Sequence, residues 1–236
     1  MTMHGRWRFG VIAGLLMLAA QADGQELLWE TYVAAGNIAL QQSRFADAER
    51  LYMLSVQQAE QLGKHDVRLA ESLNSLAVVD AKQGKYLEAE LLFQRSIEIS
   101  EKALGAEHPN VVATIGNLGT LYAEQGKFTV AEPLLTRSLS LNIKILGRDH
   151  PVVATNLRVL ALIYAKTGNY VDAERLIRLS VKIAENTLGV DHPEVAERLD
   201  ELAVVLRHSR QNTEARQVES RAQQIRQQHA RAHSAP

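Results

Sequence analysis

The sequence predicts an all-α protein, an α-solenoid of about five tandem helix–turn–helix repeats. Two observations lead to this prediction. Short motifs recur along the chain at a step of 42 residues, and within each unit the apolar residues recur at the three- and four-residue spacing of one helix face. The composition agrees with an ordered fold, because 46% of the residues are hydrophobic, which is enough to offset the entropy cost of ordering the chain.

Several different motifs keep the 42-residue step. A Leu-Gly pair stands at Leu62-Gly63 and returns at residues 104, 146 and 188, and a His-Pro pair stands at His108-Pro109 and returns at residues 150 and 192. A period of this length indicates one supersecondary unit repeated along the chain. We therefore expect repeats at about residues 28–62, 67–104, 109–146, 151–188 and 193–228, within a solenoid that spans residues 23–230.

Each unit contains two predicted helices. In the third unit, one face of the first helix is formed by Val111, Ile115, Leu118, Gly119 and Tyr122. Gly126 is expected to break this helix, and the second helix is expected to begin near Thr129. Leu146-Gly147 is expected to end it, with the glycine in the left-handed cap conformation that other residues adopt only at a steric cost.

Small residues recur where the two helices of a repeat are expected to cross closely. One such position of the first helix is occupied by Gly36, Ala77, Gly119, Ala161 and Ala203. A larger side chain there would push the helix axes beyond the roughly 8–10 Å of close packing. Because no single repeat can bury its own apolar face, we expect the stability to come from contacts between neighbouring repeats.

The pattern Leu-x-x-Leu-Ala-x-x-Tyr…Gly-x-Tyr-x-x-Ala-Glu, which runs from Leu157 to Glu174, resembles the tetratricopeptide repeat. The 42-residue length and the Leu-Gly-x-x-His-Pro linker resemble the kinesin-light-chain subtype of this repeat, which is also widespread in bacterial proteins. The resemblance covers about residues 28–222. It implies a right-handed superhelix, a non-enzymatic role in binding other proteins, and a concave side lined by the first helix of each repeat.

Repeats two and five depart from the pattern. Repeat two has Asp66-Val67 where later repeats have His-Pro. Repeat five has Asn212 in place of tyrosine or phenylalanine, and Glu219 where earlier repeats have a large apolar residue. We interpret repeat five as a polar cap, because the terminal repeats of a solenoid expose one face to water. Its second helix keeps an apolar stripe, and residues 231–236 are expected to form a flexible tail.

Residues 1–22 have the composition of a secretory signal peptide. His4, Arg6 and Arg8 precede an apolar and glycine run from Val11 to Ala20, and Ala20-Gln21-Ala22 follows. Even counted from Phe9, the run has 12 residues and is shorter than the roughly 20 that span a bilayer. We expect cleavage after Ala22 and a periplasmic or secreted mature protein with no membrane span. The alternatives are a cytoplasmic protein with a buried N-terminal helix, or an uncleaved anchor.

Several classes of function are disfavoured by what the sequence lacks. It contains no cysteine, which excludes disulfides, thiol catalysis and cysteine-based zinc sites. A formal net charge of −1 argues against nucleic acid as the main partner. The sequence contains no phosphate-binding glycine loop, nucleophile elbow or zinc-protease motif. We therefore expect neither catalytic residues nor a cofactor.

Two recurring polar residues invite a chemical role. The histidines His108, His150 and His192 occur once per repeat, and equivalent residues of stacked repeats lie about 10 Å apart, too far to share a metal ion. We expect them to form local hydrogen bonds and to bind no metal. The glutamates Glu49, Glu90, Glu132 and Glu174 also occur once per repeat and are expected to be solvated or to cap helices rather than to form a catalytic pair.

Rotation about the first helices predicts a groove that binds a partner. In repeat four the packed face is centred on Leu157, Ala161 and Tyr164, and at roughly 100° per residue the opposite side can be identified. The groove residues predicted in this way are Asn37, Gln41, Val78, Lys82, Asn117, Thr120, Thr155, Val159, Leu162, Lys166 and Val204. The apolar members Val159, Leu162 and Val204 are expected to lie together with few intramolecular contacts, as exposed apolar residues at binding surfaces do.

The predicted lining contains apolar side chains and amides, and it lacks a row of lysines that could clamp a peptide carboxylate. An apolar or mixed peptide segment, or a partner helix, is therefore the expected ligand. Two functions remain open at this point. One is an adaptor that binds another protein in the groove. The other is a self-associating structural component of an envelope assembly or secretion machine, whose groove is filled by its own tail or by a second copy.

Overall fold

The computed structural model describes residues 25–234, and the side chains of residues 26–230. Within this range the chain folds into ten α-helices and no strand. The helices are α1 Gln25–Gln41, α2 Phe45–Leu62, α3 Val67–Lys82, α4 Tyr86–Leu104, α5 Pro109–Glu124, α6 Phe128–Leu146, α7 Pro151–Lys166, α8 Tyr170–Leu188, α9 Pro193–His208 and α10 Asn212–Ser234. They form five hairpins, each with a first helix (odd-numbered) and a second helix (even-numbered). The predicted all-α fold of five helix–turn–helix repeats is therefore confirmed.

The turn inside each hairpin ends the first helix with a Schellman motif. In repeat two, the Gly84 N–H donates to the Ala81 carbonyl and the Lys85 N–H donates to the Asp80 carbonyl. The residue after the helix then needs a positive φ, which glycine adopts without a steric penalty. The glycines at this place are Gly84, Gly126 and Gly168, with φ of 78°, 73° and 86°.

The first and last hairpins form the same turn without glycine. Ser43 and Arg210 hold the equivalent place, with φ of 56° and 63°. The hydrogen bonds around them follow the same pattern, since the Arg210 N–H donates to the Arg207 carbonyl and the Gln211 N–H donates to the Leu206 carbonyl. The terminal repeats therefore keep the turn geometry with residues for which that geometry is strained.

The linker between hairpins begins at a glycine with positive φ and extended ψ. Gly147 has φ 88° and ψ 162°, and Gly105 and Gly189 adopt nearly the same angles. The expected left-handed cap, which needs ψ near about +47°, is therefore wrong. The observed region is essentially restricted to glycine, so the linker requires this residue even more strictly than a left-handed cap would.

The linker ends at an acceptor side chain that caps the next first helix. The Nδ1 atoms of His108, His150 and His192 accept hydrogen bonds from the backbone N–H two residues later, at 3.2, 3.2 and 3.3 Å. In repeat two, Asp66 Oδ1 accepts from the Arg68 N–H at 2.9 Å. The local hydrogen bonding predicted for the histidines is confirmed. What the position requires is an acceptor for an unpaired helix N–H group.

The chain divides into two compact units, Met1–Leu121 and Tyr122–Pro236. In the first unit, residues of repeats one and two share apolar clusters. Their buried members are Trp29, Ala59, Leu69, Ala70, Leu73 and Ile99 in one cluster, and Ala39, Ala48, Tyr52, Leu76 and Val79 in another. Because α2 packs against both α1 and α3, the core of this unit is continuous between neighbouring repeats.

The second unit is built in the same way. Helix α8 packs against both α7 and α9, and α10 packs against α9. One buried cluster contains Ala161 and Ile177 of repeat four together with Leu202, Ala203 and Ala215 of repeat five. Ala222 and Ile225 of α10 belong to a second cluster, and Val218 packs against both, so the stripe predicted for the last helix is its packed face.

At the C-terminal end, helix α10 continues to Ser234. The tail expected at residues 231–236 therefore overlaps the end of this helix, and its flexibility stays a prediction. The sequence after Asn212 contains no glycine or proline before Pro236, and so nothing interrupts the helix earlier. The signal peptide expected at residues 1–22 lies outside the described residues. Within residues 25–234, no helix has the length and apolar character needed to cross a membrane.

Candidate partner-binding surface

The eleven predicted groove residues all lie on first helices, and we call them together the first-helix surface. In the first unit, all six are at least partly accessible. Asn37, Gln41 and Lys82 are exposed, while Val78, Asn117 and Thr120 are partly exposed. This accessibility is what a binding role requires, and the role itself stays a prediction.

Two amides of this surface are held by other side chains. The Asn117 Nδ2 donates to Asn74 Oδ1 at 3.0 Å, which joins α5 to α3. The Tyr52 hydroxyl donates to Asn37 Oδ1 at 2.6 Å, and burial raises the pKa of Tyr52, so this hydroxyl remains a donor at neutral pH. Each amide keeps unused capacity, because a carboxamide offers two N–H donors and an oxygen with two lone pairs.

In the second unit, one predicted member is not accessible. Thr155, Lys166 and Val204 are exposed, and Leu162 is partly exposed. Val159 is only 8% exposed, so the expectation that it has few intramolecular contacts is wrong. The rotation assumed a single packed face, but α7 contacts both α8 and α9, and its buried arc is correspondingly wider.

The structure adds an ion pair that the sequence did not single out. Arg158 on α7 binds Glu201 on α9 through two nitrogens, with Nε at 2.8 Å from Oε2 and Nη2 at 2.6 Å from Oε1. The Glu201 carboxylate raises the pKa of Arg158. The partners are 43 residues apart, the same separation as Asn74 and Asn117. One period plus one residue is therefore the spacing at which neighbouring first helices touch, and it could have been tested in the sequence.

A cleft lies between consecutive hairpins in each unit. The first has a volume of about 280 Å³ and is lined by Ala70, Glu71, Asn74, Ser75, Ser96, Ser100, Asn110 and Thr114. The second has about 220 Å³ and is lined by Pro151, Val152, Ala154, Thr155, Ala184, Thr187, Leu188, Glu194 and Arg198. Five positions of the first list occur again in the second two periods later, although most carry a different residue, so the two clefts are equivalent features of repeats two and four.

Glu71 is the ionisable residue of the first cleft. Its residue surface remains exposed, yet desolvation by the surrounding atoms raises the pKa of its carboxyl group. The residue as a whole is in contact with water, while the atoms that line the cleft desolvate its carboxyl group. Within the part of the chain that the structure describes, Glu71 forms no hydrogen bond or ion pair, so its charge has no internal partner.

No arrangement suited to metal binding is present among residues 25–234, where no three His, Asp or Glu side chains converge on a point that could hold an ion. The histidines at the linkers are instead used as helix caps. The chemistry available on the first-helix surface is therefore hydrogen bonding, ion pairing and apolar contact.

Comparison with protein families gives a match over most of the chain. The model described as tetratricopeptide repeat matches residues 30–102, 68–144, 117–178 and 152–228. A comparison with curated protein sequences finds no significant match.

Solved structures with a similar fold include BtubC (BKLC) from P. vanneervenii, with 19% identity, a TM-score of 0.83, and coverage of 100% of this chain and 94% of that one. A Podosopora anserina kinesin light chain with nearly identical TPR-like repeats has 24% identity, a TM-score of 0.68, and coverage of 91% and 100%. A Rap protein complexed with competence and sporulation factor has 14% identity, a TM-score of 0.73, and coverage of 87% of this chain and 56% of that one.

Proposed function

Because the chain belongs to the tetratricopeptide repeat family, we propose that it is a non-enzymatic scaffold that binds a peptide segment or a partner helix on its first-helix surface. The observation that carries this proposal is the combination of positioned polar groups and exposed apolar side chains on the first helices. Asn37 and Asn117 are oriented by hydrogen bonds, and Val204 is 52% exposed. The fold similarity to the Rap protein complexed with competence and sporulation factor supports a ligand-binding role for such hairpins.

Val204 provides the sharpest test of this proposal. It holds in repeat five the position that Leu162 holds in repeat four, and it is more exposed because the described residues contain no first helix after α9. A Val204→Glu variant should keep its fold. It should weaken partner binding by about tenfold or more, since a lost apolar contact of ~1.5–3 kcal/mol changes the dissociation constant by that factor.

The experiment is a capture of partners from an envelope extract with the chain from Asp23 onward, followed by affinity measurements with the identified partner. Val171→Glu is the matched control, because Val171 lies on the second helix α8 and is 81% exposed. Arg178, also on α8, is unsuitable as a control because it pairs with Glu214 of α10 at 2.8 Å. Undiminished binding by the Val204→Glu variant, with loss in the Val171→Glu variant, would place the interface on the second helices.

Self-association is the competing outcome of the same work. Light scattering of the purified protein should show a monomer if the first-helix surface serves another protein. A stable dimer that dissociates on introducing Val204→Glu would instead identify a second copy of the chain as the ligand.

We also propose that residues 1–22 direct export and are removed, which supports a periplasmic or secreted location. The basis is the basic start, the short apolar run and the Ala20-Gln21-Ala22 ending. Mass spectrometry of the protein from its native host should find a mature N-terminus at Asp23 or within a few residues of it. An intact Met1 on a protein of the cytoplasm would contradict export, and an intact Met1 in the membrane fraction would indicate an anchor.

A further inference from the structure

The cleft of repeat two differs from the equivalent places in repeats three and four in the side chain that occupies it. Thr114 stands on the first helix that follows the cleft, and its hydroxyl donates to the Asn110 carbonyl of its own helix at 2.9 Å. One period later Asn156 holds this position, and its amide lies 2.9 Å from Ser138 Oγ. Two periods later Arg198 holds it. Thr114 is the shortest of the three and leaves the floor of its cleft open.

At the equivalent position two periods later, the guanidinium group of Arg198 is bound by neighbouring acceptors. The residue is 6% exposed, and its Nε donates to Ser180 Oγ at 3.2 Å, while its Nη1 donates to the Glu194 carbonyl at 3.1 Å and pairs with Glu194 Oε2 at 3.0 Å. This hydrogen bond occupies the Ser180 hydroxyl, and Arg198 itself is among the residues that line the second cleft. A buried guanidinium of this kind persists when its charge and its N–H groups are matched by protein acceptors.

The same acceptor is present and unused in the cleft of repeat two. Ser96 is the equivalent of Ser180, and both hydroxyls donate to a carbonyl of the preceding first helix at 2.7 Å, Ser96 to Ala70 and Ser180 to Ala154. Ser180 Oγ also accepts from Arg198, whereas Ser96, which is among the residues that line the open cleft, accepts no such bond from the described residues. A hydroxyl oxygen that donates one hydrogen bond can still accept others.

The carboxylate of the repeat-two cleft is not at the position of the carboxylate that pairs with Arg198. In repeat five the carboxylate that pairs with the guanidinium is Glu194, whose equivalent beside the first cleft is the neutral Asn110. The carboxylate of the first cleft is Glu71, and no basic side chain is among the residues that line it. The cleft therefore offers an unpaired negative charge, a serine acceptor and about 280 Å³ of space, without a cation of its own.

From this arrangement we infer that the cleft of repeat two binds an arginine side chain of the partner, with Glu71 as its counter-ion and Ser96 Oγ as an acceptor. The inference rests on the proposed function, because the arginine would belong to the segment bound on the first-helix surface. The guanidinium suits the site better than an ammonium group, since its planar set of N–H groups can reach a carboxylate and a hydroxyl at once.

A small probe tests the cleft without knowledge of the partner. The ¹⁵N-labelled protein is titrated at low ionic strength with N-acetyl-arginine amide and, in parallel, with N-acetyl-citrulline amide, which has nearly the same shape and no charge. We expect the arginine probe to shift the amide resonances of Glu71, Ser100 and Thr114, and to bind about tenfold more tightly than the citrulline probe because its hydrogen bonds to Glu71 are charge-assisted.

Two variants and a control complete the test. Glu71→Gln should weaken the arginine probe about tenfold, and Thr114→Arg should abolish its binding by supplying an internal guanidinium as Arg198 does. Glu197→Gln is the matched control and should leave binding unchanged. Glu197 holds the position of Glu71 in repeat five, after which the described residues contain no further first helix. Should Thr114→Arg fail to fold, the exposed Glu71→Gln substitution still decides the matter.

The inference is overturned if the citrulline probe binds equally well, if Glu71→Gln leaves the affinity unchanged, or if the shifted resonances lie outside the cleft. These outcomes are separate from failure of the proposed function. Partner binding that responds to Val204→Glu but not to Glu71→Gln would reject the arginine site alone. Partner binding that responds to Glu71→Gln but not to Val204→Glu, together with probe binding in the cleft, would instead keep the arginine site and reject Val204 as part of the partner's site.

Discussion

At the scale of single residues, Gly36 decides how closely the first two helices approach. A Cβ placed on Gly36 would lie 2.6 Å from Tyr52 Cε1 and 2.9 Å from Tyr52 Cδ1. Tyr52 is fully buried, and its hydroxyl is fixed on Asn37, so the ring has little freedom to move aside. The small residue predicted at this crossing is therefore required by the size of the tyrosine that faces it.

A Gly36→Ala variant should be destabilised by about 1–3 kcal/mol, because overpacking forces side chains or backbone to shift. Urea unfolding would measure this change. Repeat four pairs Ala161 with Ile177 at the corresponding positions, and both residues are buried in one cluster. In a Tyr52→Ile background the cost of Gly36→Ala should therefore shrink, and strictly additive effects in this double-mutant cycle would contradict the proposed clash.

Asp80 is a second residue whose environment has a measurable consequence. Its side chain is 8% exposed, Oδ1 accepts no hydrogen bond, and the nearest cation is Lys85 Nζ at 3.7 Å. Burial raises the pKa of Asp80 above its usual value. The folded state therefore binds this proton more tightly than the unfolded state, and the free energy of unfolding must fall as pH rises from the unfolded pKa of about 4 through the folded pKa.

An Asp80→Asn variant should lack this part of the pH dependence. Relative to the unaltered protein, it should gain stability between pH 3 and pH 7, because it carries no charge that burial can disfavour. Urea unfolding at both pH values is the measurement. Equal differences at the two pH values would show that Asp80 titrates alike in the folded and unfolded states.

At the scale of helices and turns, the repeats are joined by a row of glutamates on the second helices. Glu49 accepts from Gln83 Nε2 at 2.8 Å and from Lys85 Nζ at 2.6 Å in the next hairpin, and the bond to Lys85 lowers the pKa of Glu49. Glu174 likewise accepts from Gln211 Nε2 at 2.6 Å. These residues were expected to be solvated or to cap helices. The structure shows that Glu49 and Glu174 bind side chains in the turn of the following repeat.

The hairpin turns allow a matched pair of substitutions. Arg210 adopts a φ of 63° at the place where Gly168 adopts 86°. Arg210→Gly should raise the free energy of unfolding by up to about 1 kcal/mol, because it relieves a strained conformation. Gly168→Ala should lower it by about 1–2 kcal/mol, which is the cost of a left-handed residue with a side chain. Thermal unfolding would test both, and a loss of stability in Arg210→Gly would mean that the arginine side chain contributes more than the strain costs.

At the scale of the whole molecule, each compact unit is held together by contacts between neighbouring repeats. A chain that begins at Asp23 contains Trp29 as its one tryptophan. Trp29 is buried in the same cluster as Leu73, and its indole N–H donates to Ser72 Oγ at 2.7 Å. Its fluorescence therefore reports on the first unit, whereas far-ultraviolet circular dichroism reports on all the helices.

Substitutions in the two units should separate these two signals. Leu199, the equivalent of Leu73 in repeat five, is 2% exposed, and Leu199→Ala should cost ~2–5 kcal/mol. In urea it should lower the circular dichroism midpoint more than the Trp29 fluorescence midpoint, while Leu73→Ala should lower the fluorescence midpoint at least as much. Coincident shifts of both signals in both variants would instead indicate a single two-state unit.

The predicted binding surface was placed on the correct helices, but its accessibility and its contacts were predicted only in part. The helical period placed all eleven residues on first helices, and exposure at Val204 agrees with that placement. It failed at Val159, because the period of one helix says nothing about a second helix that approaches from the side. Arg158 was missed for the same reason, since its partner Glu201 belongs to the next repeat and is recognised only once neighbouring first helices are seen to touch.

The sequence by itself determined the all-α class, the five hairpins, the family and the local hydrogen bonding of the linker histidines. These follow from local chemistry, namely helical periodicity, glycine at turns and acceptors at helix starts, repeated every 42 residues. Only the tertiary structure decided which side chains meet between repeats. It showed the bonds of Glu49 to the next turn, the burial of Val159, the guanidinium of Arg198 on Ser180, and the open cleft beside Glu71. Such contacts depend on the distances between helices. These distances vary with side-chain size at each crossing, and the 42-residue period does not determine them.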